Sequence, residues 1–179
     1  MQRWRVLLLI FLLAGSTLFG DVKLKTYMLP DEAGTALKQM LHRIDGARYK
    51  IDAAIYSFTH KKIAKRLANA AQRGVKIRIL FDRESNLHNR RSQIGYLSKF
   101  RNIETYLISG KARRNGKGYG LMHMKLMVID NRYTIFGSAN WTYSAFGLNY
   151  EVIAFAESYA KAASTERAFE KMLLKAVRY

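Results

Sequence analysis

Residues Met122 to Asn140 read MHMKLMVIDNRYTIFGSAN, and the fold depends on how this stretch pairs with itself. Two apolar runs, Leu126 to Ile129 and Tyr133 to Phe136, flank the polar pair Asn131 and Arg132. That is the pattern of a strand, a tight turn and a return strand. A loop of Asn131 and Arg132 alone predicts Asp130 opposite Tyr133, Lys125 opposite Ser138 and His123 opposite Asn140. Directly opposed residues share a face, as do residues two apart on one strand. His123, Lys125, Ser138 and Asn140 are therefore expected in one polar cluster on an otherwise apolar ribbon, with Asp130 pointing away from it. An imidazole, a fixed cation and two neutral hydrogen-bonding side chains combine a nucleophile or base with groups suited to hold a phosphate. The expectation is phosphoryl chemistry.

Outward from the hairpin, strands alternate with helices. Val22 to Tyr27 alternates as a strand, Pro30 and Asp31 make a turn and helix start, and Leu37, Met40, Leu41 and Ile44 recur at helical spacing up to Gly46. Lys50 to Phe58 is a β-run with Ile51, Ala53, Ile55 and Ser57 on one side. Thr59 is the expected N-cap of a helix that runs to Gln72 and is closed by Gly74. Val75 to Phe81 reads as a buried strand, Asp82 to Asn89 as a polar loop, Ser92 to Phe100 as a short helix and Ile103 to Ile108 as a further strand. Beyond the hairpin, Trp141 to Asn149 is expected as a loop and Tyr150 to Ala156 as a strand. Ser158 to Val177 is expected as a helix with Phe169, Met172, Leu173 and Ala176 on one stripe. The pattern predicts an α/β fold, an α-β-α sandwich with a mixed β-sheet, spanning residues 21–179 without an internal repeat.

The chain has 179 residues, which suits one domain with a real core. Its 31 Lys and Arg against 13 Asp and Glu give a formal charge of +18, which points to a polyanionic partner, nucleic acid or an anionic membrane. The absence of Cys excludes disulfides, thiol catalysis and a Cys-based metal site. Arg3 and Arg5 precede the apolar run Val6 to Ala14, followed by small and polar residues, which is the plan of an export signal. Residues 1–20 are expected to be a signal peptide or an N-terminal membrane anchor, placing the protein in the periplasm or at a membrane of a bacterium.

His123-x-Lys125, four residues, Asp130, six residues and Gly137-Ser138-x-Asn140 together resemble the HKD motif of the phospholipase D superfamily. His60-Lys61-Lys62 is also His-x-Lys, but Leu67 stands where the Asp is needed and no Gly-Ser-x-Asn follows. Ala54 to Asp82 resembles the first half of the family, and Asn149-Tyr150-Glu151 its downstream acidic position. With one motif per chain, the sequence resembles the short bacterial Nuc-type endonucleases, and among them the exported, membrane-associated NucT type. The resemblance implies a phospholipase D-like fold. It also implies that His123 attacks phosphorus to form a phosphohistidine, Lys125 and Asn140 hold nonbridging oxygens, Ser138 supports them, and Glu151 orients the catalytic ring. Asp130 is assigned a structural role at the turn, beside the motif's Gly137.

Ser109 to Gly120 reads SGKARRNGKGYG and is expected as a loop that carries Lys111, Arg113, Arg114, Lys117 and Tyr119 to His123 as a clamp on a phosphate backbone. Tyr119, Trp141, Tyr143 and Phe146 flank the cluster and are candidates to stack on unpaired bases. A leaving alkoxide needs a proton from a second acid. A homodimer with its twofold axis between two His123 side chains supplies that acid. No cofactor or metal is required, and the linear sequence shows no His and carboxylate cluster at ligand spacing. The leading expectation is a nuclease acting on DNA, with RNA also open. A phospholipid hydrolase and a noncatalytic DNA-binding module stand as alternatives.

Overall fold

The computed structural model describes residues 22–179, so the signal or anchor expected over residues 1–20 lies outside the described residues. In chain order, β1 (Lys23–Leu29) is followed by α1 (Ala33–Asp45), β2 (Lys50–Ile55), α2 (Lys61–Gln72) and β3 (Lys76–Asp82). Two single turns, α3 (Arg83–Asn86) and α4 (Ile94–Leu97), lead to β4 (Ile103–Ile108). The hairpin β5 (Lys125–Ile129) and β6 (Tyr133–Gly137), then β7 (Glu151–Glu157), α5 (Tyr159–Leu173) and β8 (Val177–Arg178) complete the chain. The described strands form one sheet in the order β1-β7-β6-β5-β2-β3-β4-β8. The β2–β3 and β3–β4 pairs are parallel, and the other neighbours run antiparallel.

The near-continuous apolar runs of β2 and β3 have cores on both sides, as parallel strands between helices require. Ile51, Ala53 and Ile55 join Ile77, Ile79 and Phe81 in one core, into which α1 places Met40 and Ile44 and α2 places Ile63 and Leu67. Ala54, Leu80 and Leu126 face the other, where α5 inserts Phe169. Each of the buried Ile, Leu, Met and Phe side chains among these contributes roughly 1.5–3 kcal/mol relative to exposure. The expected α-β-α sandwich around a mixed sheet is the architecture observed.

Charge also ties α5 to the sheet. Asp52 is buried, and Arg78 grips it through Nε and Nη2, both at 2.7 Å, while Nη2 also donates to Glu170 Oε1 at 2.7 Å. Lys50 pairs with Glu166 beside them. The three carboxylates of Asp52, Glu166 and Glu170 lie within 4.8 Å of one another. Their spacing in sequence hid this cluster, which folding assembles from β2 and α5 and which Arg78 and Lys50 bridge.

Several local expectations are corrected. The hairpin loop has three residues, because Asp130 (φ 51°) and Asn131 (φ 54°) both take the left-handed conformation. Short polar side chains tolerate that region better than apolar ones. Ile129 consequently pairs with Tyr133 and Leu126 with Phe136, one residue away from the expected register. The run Lys50 to Phe58 ends as a strand at Ile55. Residue 59 is not the cap of α2, which starts after His60 with no side-chain cap bond. The loop expected after Phe81 contains α3, and only Ile94–Leu97 of the next expected helix is helical. The last helix stops at Leu173, and the chain returns as β8, which pairs with β4.

Candidate active site

His123 is positioned from two sides. Met122 N donates to Asp82 Oδ2 (2.8 Å) at the end of β3, and Tyr56 N donates to Met124 O (2.8 Å) just beyond β2. The histidine therefore sits past the carboxyl ends of parallel strands, where open α/β sheets gather their ligands. Asp82 is buried, and its other oxygen accepts from Ser85 N (3.0 Å) to start α3. Asn86, also buried, fastens this floor by donating to Tyr56 O (2.7 Å) and Asp82 O (2.9 Å).

From the other side, the chain leaving β6 crosses the end of β5. Ser138 N donates to Val152 O (3.0 Å) on β7, and three residues later Trp141 N donates to Ser57 O (3.0 Å) beyond β2, on the far side of β5. Gly137 permits the close approach at the start of this crossing, since a Cβ there would lie 2.1 Å from Val152 O. This crossing, rather than direct opposition in the hairpin ladder, carries Ser138 and Asn140 over the strand that presents Lys125.

The exposed His123 ring lies 4.5 Å, centroid to centroid, from the ring of Tyr56. Lys125 is 6% exposed, and its Nζ donates to His123 Nδ1 (3.0 Å) and to His123 O (2.8 Å) while standing 5.0 Å from the Tyr56 centroid. It forms no ion pair among the described residues. Burial pushes its ammonium below the usual lysine range, against the opposing fields of Glu151 and Asp82. Asn140 Oδ1 is buried without a hydrogen-bond partner. The site thus holds an exposed imidazole and a desolvated cation, a combination suited to an incoming phosphate ester.

The family described as cardiolipin synthase, PLD-like domain, matches residues 40–173. The chain belongs to the phospholipase D superfamily. Among solved structures, NucT from Helicobacter pylori is 38% identical, with a TM-score of 0.86 across 89% of this chain and 100% of that one. Nuc from Salmonella typhimurium, a phospholipase D family member, is 25% identical, with a TM-score of 0.75 across 89% of this chain and 99% of that one. Human mitochondrial cardiolipin hydrolase is 31% identical over 123 residues, which is 69% of this chain and 45% of that protein. The chain spans about half the length of this relative.

Of the phospholipase D motif residues, His123 and Lys125 are in direct contact. Ser138 donates to Glu151, accepts from Val152 N (3.0 Å), and so joins the crossing segment to β7. Glu151 is engaged by Ser138 and by Asn149 Nδ2 (3.4 Å). No hydrogen bond joins Glu151 to the His123 ring among the described residues, and Lys125 Nζ meets the Nδ1 side of that ring. Asp130 lies at the opposite end of β5, where its carboxylate accepts from the backbone of Arg48 (2.8 Å), Tyr49 (2.8 Å) and Lys50 (3.0 Å).

Lys111, Arg113, Arg114, Lys117 and Tyr119 are exposed on a segment more regular than the expected loop. Ala112 bridges Tyr119, and Gly110 and Lys111 exchange backbone bonds with Gly120. Two stacking candidates are corrected. Trp141 is 2% exposed and packs edge-on against Phe58 at 4.9 Å, so it belongs to the core and presents no face to a substrate. Phe146 is buried as well, whereas Tyr119 and Tyr143 remain exposed. Tyr56, Asp82 and Asn86 were missed from sequence. The one available signal was a carboxylate ending the buried strand Val75 to Phe81, since a charge there needs a partner.

Proposed function

We propose that this phospholipase D-superfamily chain is a phosphodiesterase that cleaves DNA, and RNA through the same phosphate contacts, with little sequence preference. The observation that carries the reading is Lys125, a buried ammonium in contact with an exposed imidazole and with no carboxylate partner among the described residues, on a chain of formal charge +18. A phosphate oxygen competes for that ammonium and releases the ring nitrogen it occupies. His123 attacks phosphorus as the bond to the leaving oxygen breaks, and Lys125 and Asn140 stabilise charge on the nonbridging oxygens. Water then opens the phosphohistidine. The cations of the chain carry the charge stabilisation, so the reaction needs no metal.

One imidazole cannot both attack and protonate the leaving alkoxide. The second comes from another copy of the chain. Leu148 and Tyr150, 78% and 91% exposed, lie beside Glu151 in sequence and supply an apolar rim for that association. One ring is neutral while the other is protonated, so turnover against pH should follow a bell from a coupled pair. The likeness to NucT and Nuc supports nucleic acid as substrate. A second reading, hydrolysis of an anionic phospholipid, is supported by the relatives named mitochondrial cardiolipin hydrolase. Export follows from the N-terminal signal plan, and N-terminal sequencing of membrane-extracted protein separates a cleaved from a tethered form.

The test incubates purified protein in EDTA with plasmid, with a labelled oligonucleotide and with cardiolipin vesicles. Cleaved DNA beside intact lipid is expected. Hydrolysed lipid beside intact DNA would replace the nuclease with the lipid enzyme. DNA that stays whole but is bound equally by His123→Ala and wild type would reduce the chain to a binding module.

A further inference from the structure

A second aromatic platform stands beyond the catalytic cluster. His60, 2% exposed, lies against Tyr143 with ring centroids 4.1 Å apart and planes 21° apart, and Phe146 closes its edge at 5.7 Å. Tyr143 is 53% exposed. One side of its ring is braced by a buried imidazole while much of the remainder is open to solvent. The brace is held by packing, since His60 Nδ1 has no hydrogen-bond partner. The backbone around it is fixed: Thr59 N and His60 N both donate to Trp141 O at 2.9 Å.

Tyr143 lines a cleft of about 540 Å³ with Lys61, Arg90, Arg91, Thr142 and Ser144. None of its three cations forms an ion pair among the described residues. α2 begins at the same place with Lys61 and Lys62, no acidic residue in its first turn and no side-chain cap. Cations at the positive end of a helix dipole are unfavourable unless an anion joins them. Thr142 of the cleft lies two residues beyond Asn140 in sequence.

We propose that this cleft is a nucleotide subsite for single-stranded nucleic acid, in which an unpaired base stacks on Tyr143 while Lys61, Arg90 and Arg91 hold phosphates of the same strand. The proposal rests on the nuclease reading and adds the form of its substrate. A duplex base is already stacked and paired, and a lipid headgroup brings no ring for the platform. Base stacking on an aromatic side chain is sequence-tolerant.

The test uses the full chain carrying His123→Ala, so that nothing is cut, and follows binding of a fluorescein-labelled oligothymidylate of about twelve nucleotides by anisotropy. Adding Tyr143→Ala should weaken binding roughly tenfold, within the range of one lost base stack, while Tyr143→Phe retains it. Binding of a duplex of the same length should not respond to Tyr143→Ala. Arg90→Ala with Arg91→Ala should lower the salt slope by about 1.4, two single-strand phosphate contacts. If Tyr143→Ala loses its fold by circular dichroism, Tyr143→Leu keeps packing on His60 without the π face and replaces it. Unchanged oligonucleotide affinity in the folded variant, or equal weakening for single strand and duplex, would overturn the subsite. Should wild type still cut the oligonucleotide in that case, the nuclease reading stands alone. If wild type neither binds nor cuts any oligonucleotide, both fall.

Discussion

Arg78 and Lys125 are both cations drawn into the sheet layer, but their surroundings differ. Arg78 meets Asp52 through two parallel hydrogen bonds and Glu170 through a third contact, and these carboxylates raise its pKa above the usual arginine value. Lys125 meets a ring nitrogen and a carbonyl oxygen, and burial lowers its pKa. The first cation belongs to a closed network that joins α5 to β2 and β3. The second has no ion-pair partner among the described residues. A buried charge is thus informative through its partners: completed pairs mark architecture, and an uncompleted one marks the site.

The comparison breaks most sharply under substitution. Lys125→Met should reduce turnover by about a hundredfold to a thousandfold, the usual loss when one preorganised charge contact is removed. It should also raise the melting temperature by a few degrees, because it deletes an uncompensated buried charge. Steady-state kinetics and calorimetry on one preparation read both, and a destabilised Lys125→Met protein would place the residue with Arg78. Arg78→Met should do the reverse. It leaves buried Asp52 with only Lys50, 3.7 Å away, and should destabilise by about 3 kcal/mol in denaturant unfolding, with turnover of the remaining folded protein near wild type.

Smaller effects sharpen the contrast. Replacing Arg113 and Arg114 by Ala should weaken oligonucleotide binding and flatten its salt slope by about 1.4, while an unchanged slope would remove the clamp. The lowered Lys125 pKa gives the last effect. An anion bound beside the ammonium raises that pKa toward the ordinary 10.5. Between the lowered value and 10.5 the bound state therefore holds more protons, and phosphate-ester binding should take up a fraction of a proton at alkaline pH. Calorimetry in buffers of different ionisation heat measures this, and Lys125→Met should abolish it.

Much of the fold was legible because burial writes itself into period. The apolar runs of β2 and β3 and the spacing of Met40 and Ile44 declare their elements before any long-range contact forms. β8 was not legible, since two residues become a strand only because β4 leaves an edge for them. The hairpin register turned on the left-handed backbone of Asp130 and Asn131, which a polar turn sequence does not announce. His123, Lys125 and Asn140 carry their chemistry in a recognisable spacing. Trp141 does not, because its burial depends on Phe58 from a distant part of the chain. Asp82 and Asn86 act on the site through backbone bonds across as many as 40 residues, which no local pattern records.

The central claim is that His123 carries the phosphoryl group between the two halves of the reaction. Quenching wild type during turnover of an oligonucleotide with radiolabelled internal phosphates tests this most directly. The prediction is an acid-labile, alkali-stable adduct at one His123 per dimer, missing from His123→Ala. Full turnover without any trapped label, or a label that persists in His123→Ala, would contradict it.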